Sequence, residues 1–163
     1  MRNYIFILTI ILLFFSEAII SQSITKPDIF KFGDTKSNIM MALNEECKIV
    51  NDKKISPVQL PTAKTSQSQV DCERFKYAGM KRKIELIFAD GILDMVLILI
   101  EPEEEDTLIA GFTKLYGKPA YVKDDVTFFL NNGVAVRNNP HEVLFISDRL
   151  KPSYKVWLEQ KVQ

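Results

Sequence analysis

The chain has one histidine, two cysteines and six glycines in 163 residues, and its 21 lysines and arginines are cancelled by 21 aspartates and glutamates. Each scarcity removes a class of function. A single histidine, His141, excludes a histidine-rich metal site. Two cysteines far apart in sequence, without a Cys-x-x-Cys pair, exclude a dithiol redox motif and a zinc knuckle. The glycines are scattered singly, so neither a phosphate-cradling loop nor a Gly-x-Ser-x-Gly nucleophile elbow is present. A net charge of zero leaves no global field to draw nucleic acid or acidic lipid. The one long apolar run lies at the N-terminus, and it is shorter than the roughly 20 residues a helical span needs.

That run has the form of a targeting segment. Arg2 supplies a positive start, Tyr4 to Phe15 is apolar except for Thr9, and Ser16-Glu17-Ala18 offers small residues two apart for a signal peptidase. Residues 1–18 are therefore expected to be a signal peptide, with Ala18 the preferred last residue. A retained anchor that counts Ile19 and Ile20 is the alternative, and it places Glu17 inside the span. No cysteine follows the run, so a lipidated N-terminus is not supported. The expected location is periplasmic or secreted, with the membrane involved only through this segment. In such an oxidising compartment Cys47 and Cys72 read most simply as one disulfide closing a loop of about 25 residues, contributing about 3 kcal/mol in the chain-entropy model. Two separate buried thiols are the other reading.

The rest of the chain is one domain's worth: an extended lead-in over residues 19–32, then a single α+β domain over residues 33–163. Its halves would be 33–100 and 101–150, with a C-terminal tail over 151–163. Asp34 or Thr35 is placed to cap a helix from about Lys36 to Glu46, whose Ile39, Met40, Leu43 and Cys47 share one face. Residues 51–68, with Pro57 and Pro61 among polar residues, predict a loop with at most a weak strand near Val58. Strands are expected over Val70 to Tyr77 and around Ile84, Leu86 and Phe88. A tight Asp90-Gly91 turn then leads into "ILDMVLILI", a strand apolar on both faces and so central. In "EPEEED", Pro102 and the acids suit a helix start. Leu108, Ile109, Phe112, Leu115 and Tyr116 form its apolar stripe, with Gly117 as a left-handed cap and Pro119 as a stop. Strands follow near Tyr121 to Lys123, Val126 to Leu130, Val134 to Arg137 and Val143 to Ser147, with a hairpin turn at Asn132-Gly133. Ser153 is the expected cap of a short C-terminal helix carrying Tyr154, Trp157 and Leu158.

The order of elements echoes itself. Asp34-Thr35 matches Asp106-Thr107, and at the same offset Met40 matches Phe112 and Leu43 matches Leu115. The expected fold is α+β: two helix-plus-antiparallel-meander units, with the helices packed on one face of a curved antiparallel sheet. "FGDTKSNIMMAL" and "FTKLYGKP" resemble the repeated unit of small exported bacterial envelope modules, the SmpA/OmlA (BamE-like) and β-lactamase-inhibitor-protein-like type. The resemblance implies a protein-binding module without catalysis. This chain departs from the pattern in lacking a lipidated cysteine, in lacking Gly-x-Pro after the first helix, and in having one candidate disulfide where the inhibitor type has paired bridges. The fold idea carries over, and no partner or binding residue does.

Candidate chemistry is sparse. His141 follows Asn139-Pro140 in a turn, where a histidine is ordinarily solvated, and Ser147 is the one nucleophile to imagine beside it. Glu101 to Asp106 lack the ordered glycine and asparagine of a calcium loop and suit a solvated helix start. Lys81-Arg82-Lys83 with Lys76 suits a charged hairpin tip or a contact with anionic lipid or glycan. The aromatics are more suggestive. Phe128 and Phe129 are adjacent on a strand and must face opposite sides of the sheet. One side meets the helices. The other needs a cover: the tail with Trp157, the proline-rich loop, or another protein. Phe128, Phe129 and Trp157 are thus the candidate partner surface. The expected function is a non-catalytic exported protein-binding module of the bacterial envelope, with a protein partner, no nucleic acid and no cofactor. The alternatives are an exported inhibitor of a secreted enzyme, and a hydrolase with a non-standard site.

Overall fold

A computed structural model describes residues 24–123 and 125–160; the signal segment expected over 1–18 lies outside them. The first helix, α1 (Lys36–Leu43), is capped by Thr35, whose Oγ1 accepts from the amide of Asn38 at 3.3 Å. It ends a turn earlier than its apolar spacing suggests, and Cys47 follows in the connection to β1 (Lys48–Ile55). Next come β2 (Gln67–Tyr77), β3 (Met80–Ala89) and β4 (Ile92–Leu99). Asp90 and Gly91 sit at φ 50° and 79°, and Ala89 pairs with Ile92 across that two-residue turn. Positive φ at both turn residues matches the right-handed twist of the flanking strands.

The acidic stretch starts as a 3-10 turn (Pro102–Glu104) that runs into α2 (Glu105–Tyr116). Gly117 ends α2 with φ 80° but ψ −161°, so its backbone is not the left-handed cap expected from sequence. Then follow β5 (Tyr121–Lys123), β6 (Val126–Phe129), β7 (Val134–Asn138), β8 (His141–Ile146) and α3 (Lys151–Gln160). The β6–β7 hairpin turns through a 3-10 segment, Leu130–Asn132, closed by Gly133 in the left-handed region. A Cβ on Gly133 would stand 2.7 Å from the carbonyl oxygen of Ile146, so both φ and space require glycine there. Ser153 lies inside α3, which begins at Lys151, so it is not the cap of that helix.

The expectation of two helix-plus-meander units with the helices on one face is corrected by the sheet itself. All eight strands form one antiparallel sheet in the order β1-β2-β3-β4-β8-β7-β6-β5. The structure is mostly sheet with small helices. The reason lies in β4. Met95 to Leu99 pair with Ile146 to Glu142 of β8, residue for residue, so hydrogen bonding runs unbroken across the middle of the sheet. Because β4 is apolar on both sides, both faces of the sheet need cover, and the third helix lies on the face opposite α1 and α2.

The first face carries the larger core. Phe30, Ile39, Leu43, Phe112 and Phe145 are fully or almost fully buried there with side chains from β2, β3 and β4. Phe112 stacks on Tyr116 one turn along α2 and meets Phe129 and Phe145 of the sheet. The lead-in crosses α2 closely enough that a Cβ on Gly111 would stand 2.6 Å from the Ile24 side chain. Tyr77 donates from its hydroxyl to the Ile24 carbonyl. Cys47 and Cys72 form a disulfide with their Cα atoms 5.9 Å apart, which ties the end of α1 to the buried middle of β2.

The second face has its own smaller cluster: Ile87, Met95, Leu97, Phe128, Leu144 and Leu158 among others, with Tyr154 and Leu60 packed against it. Its covers are α3 and the connection between β1 and β2. No helix among the described residues is long and apolar enough to cross a membrane.

A candidate functional site on the second face

The two covers of the second face leave part of it open. Between them runs an open cleft of about 370 Å³. Its floor is a cross-strand row read from the register: Phe128 of β6 stands opposite Ala135 of β7, which stands opposite Leu144 of β8. Strand alternation puts these three on one side of the sheet and sends Phe129 to the other. Ala135 is the small member, and its missing bulk gives the floor its depth.

One wall is loop: Gln59, Leu60 and Pro61. This stretch has no periodicity with which to pack itself, and three side chains anchored in the sheet hold it. Gln67, buried at the start of β2, accepts through Oε1 from the amides of Gln59 and Leu60 at 2.7 and 2.8 Å. Asp90, in the β3–β4 turn, accepts through its carboxylate from the amides of Lys64, Thr65 and Ser66 at 2.8 to 2.9 Å, and from the Thr65 hydroxyl. Those hydrogen bonds draw the Asp90 carboxyl well below the usual carboxylate range. Asp94 is fully buried in β4 and accepts from the Ser147 hydroxyl at 2.6 Å. Its second oxygen lies 3.6 Å from the Arg149 guanidinium, which in turn donates to the Thr62 carbonyl at 3.4 Å.

The other wall is α3. Ser153, Tyr154 and Trp157 line the cleft, and spacing of three and four residues puts Ser153 and Trp157 one turn apart on the same side. Tyr154 meets Phe128 edge to face with ring centroids 5.5 Å apart, and Trp157 meets Tyr154 in the same manner at 6.2 Å. Burial raises the Tyr154 hydroxyl above its ordinary pKa, so it stays protonated and able to donate. Trp157 is 39% exposed, so one large aromatic stands at the rim in contact with both water and the cleft.

The far end is polar. Arg137, Asn139 and Asp125 line it. Arg137 donates from its terminal nitrogen to Glu142, its cross-strand partner, whose carboxylate is almost fully buried. Burial lifts the Glu142 carboxyl above the usual range, and the adjacent guanidinium opposes that shift. The Nε–H of Arg137 is buried and has no acceptor among the described residues.

The residues singled out from sequence fall unevenly around this cleft. Phe128 is its floor and Trp157 its rim. Phe129 is not at a surface: it lies in the first-face core against Phe112 and Tyr116. The structure keeps Ser147 and His141 apart at opposite ends of β8, since Ser147 donates to Asp94 and His141 pairs with Glu105. Glu104 of the acidic stretch makes a two-pronged ion pair with Arg82 at 2.6 and 2.7 Å, so Arg82 is a buried strut between β3 and the 3-10 turn that leads into α2, and no part of a basic hairpin tip. Lys83 pairs with Glu85 at 2.6 Å. No group of three or more histidine, cysteine or acidic side chains placed to hold a metal ion occurs among the described residues. Sequence reasoning missed Arg137, Leu60 and the three loop anchors. A strand arginine facing an otherwise apolar row was the one available signal, legible only once the register was known. No family model, no curated protein and no solved structure matches the chain.

Proposed function

We propose that the protein is a non-catalytic, exported protein-binding module of the bacterial envelope, and that it engages its partner through the second face of the sheet. One observation carries the reading. Gln67, Asp90 and the Asp94–Arg149 pair all hold one irregular loop in place beside an apolar floor, which gives a fixed recess where the loop could have closed over the sheet. A rigid apolar recess rimmed by aromatics is the ordinary form of a hot-spot pocket in a protein interface. Export is supported by the apolar N-terminal run and by the disulfide, which is compatible with an extracellular or periplasmic location. The resemblance of "FGDTKSNIMMAL" and "FTKLYGKP" to envelope modules is the reason for placing the partner in that compartment. Sequencing the mature chain is expected to begin near Ile19 to Ile24, and an intact Met1 held in the membrane refutes release from the signal. In-cell crosslinking followed by mass spectrometry should yield a reproducible protein adduct from the second face; absence of any protein adduct on this face counts against the proposal.

A further inference from the structure

Granting that protein-binding reading, we infer that the cleft takes an aromatic or branched aliphatic side chain from an uncharged, extended stretch of the partner, with the peptide groups of that stretch beside the Arg137 guanidinium. The size fits: about 370 Å³ is enough for one large side chain and the peptide groups beside it. The floor and most of both walls are apolar, from Leu60 and Pro61 to Phe128, Leu144 and Trp157.

The charges at the polar end select against an ionic occupant. Among the described residues the one cation lining the cleft is Arg137, and it already faces the buried carboxylate of Glu142. A carboxylate in the cleft would stand beside the acids Glu142 and Asp125, and the guanidinium at that end is already engaged by Glu142. An ammonium would sit against that guanidinium in an apolar trough. A peptide carbonyl brings no charge to this end and can accept from the half-buried Arg137 guanidinium. The remaining polar lining groups, Gln59, Asn139, Ser153 and the Tyr154 hydroxyl, are neutral donors and acceptors of the kind that meet a peptide backbone.

Trp157 is the sole tryptophan of the chain and stands at the rim, so its fluorescence reads occupancy directly. The probes are capped tripeptides, N-acetyl-Gly-X-Gly-amide, with X as Phe, Leu, Ala, Glu or Lys, and decanoate as a small amphiphile. The Phe and Leu probes are expected to saturate the signal, binding roughly tenfold or more tightly than Ala, Glu or Lys, since burying one such side chain is worth about that much. Ala135→Leu fills the floor and should weaken the Phe probe by a similar factor while the unfolding midpoint holds. If that variant does not fold, Leu60→Glu on the loop wall makes the same test. Equal binding of the Phe and Glu probes, no saturation by either apolar probe, or binding of decanoate alone overturns the inference. A photocrosslinking amino acid placed at position 157, and separately at position 80 on the β2–β3 hairpin tip, then distinguishes the two claims in cells. A protein adduct at position 80 only overturns the cleft as the docking point and leaves a protein partner standing. No adduct at either position overturns the protein-binding reading, whatever the peptides do.

Discussion

The two faces of one sheet are built from neighbouring residues and end up unlike. Phe128 and Phe129 are adjacent, yet Phe129 enters a continuous core under α1 and α2, whereas Phe128 becomes the floor of a cleft beside α3. The first face is closed by two helices and the lead-in, and its largest side chains have essentially no contact with water. The second face is closed by one helix and a loop that must be held down by side-chain hydrogen bonds. The difference separates two tasks: the first face makes the fold stable, and the second presents a recess on an already stable sheet. Apolar surface left open beside a rigid scaffold is where interaction sites are commonly found.

The comparison can be broken by core truncation. Phe112→Ala removes the ring that Tyr116, Phe129 and Phe145 surround, and should destabilise the protein by about 4 kcal/mol in denaturant unfolding. Replacing both Cys47 and Cys72 by alanine should cost about 3 kcal/mol, because the lost constraint is the entropy of a loop 25 residues long. Leu158→Ala, in the helix of the second face, should cost about 2 kcal/mol, at the low end for buried leucine because its neighbours border an open cleft into which they can relax. Equal losses for Phe112→Ala and Leu158→Ala would mean that the faces contribute alike, and the division of labour argued above would be wrong.

How much of this was legible in the sequence follows from what each element uses to define itself. The Asp-Gly turn, the two-sided β4 and the stripe of α2 were readable because positive φ, continuous apolarity and helical spacing are local properties. The edge strand β1 was not. Its sequence KIVNDKKI is mostly exposed and nowhere alternates, so pairing with β2 alone defines it. The merging of the strands into one sheet was also hidden, because the β4–β8 pairing joins segments more than forty residues apart. Of the candidate site, Phe128 and Trp157 were visible as aromatics in search of a cover. Phe129 was assigned to the surface with them because alternation tells that two neighbours part company but not which face stays open. Arg137 and the loop anchors act across strands, where no single-sequence pattern reaches.

A smaller effect should come from crossing the charge of Arg137 with its partner. Glu142→Gln leaves the guanidinium without its buried counterion while keeping the shape of the side chain. If the cleft prefers an uncharged occupant because Arg137 is already neutralised, this variant should bind the Glu tripeptide more tightly than the parent does, narrowing the gap between the Phe and Glu probes. An unchanged gap would mean that shape alone, and not charge, excludes acids.

The smallest expected effect concerns the loop wall, and it tests whether hydrogen bonds or packing hold that wall. The Asp90 carboxylate receives three backbone amides and a hydroxyl, and its folded pKa lies below the unfolded value near 3.9 as a result. A depressed folded pKa means that the anchoring is fully present above the unfolded value and is lost as pH falls through the folded one. The loop should therefore hold its place from neutral down to mildly acid solution and loosen only under strongly acid conditions. Asn at position 90 tolerates the same positive φ, so Asp90→Asn removes the charge and leaves the turn intact. Amide hydrogen exchange at Lys64, Thr65 and Ser66 should then rise at neutral pH, with the unfolding midpoint almost unmoved, because the group is exposed and the first-face core is untouched. If those amides stay as protected as before, the packing of Leu60 against the second-face cluster holds the wall without help, and the recess is a consequence of that contact instead of the anchors.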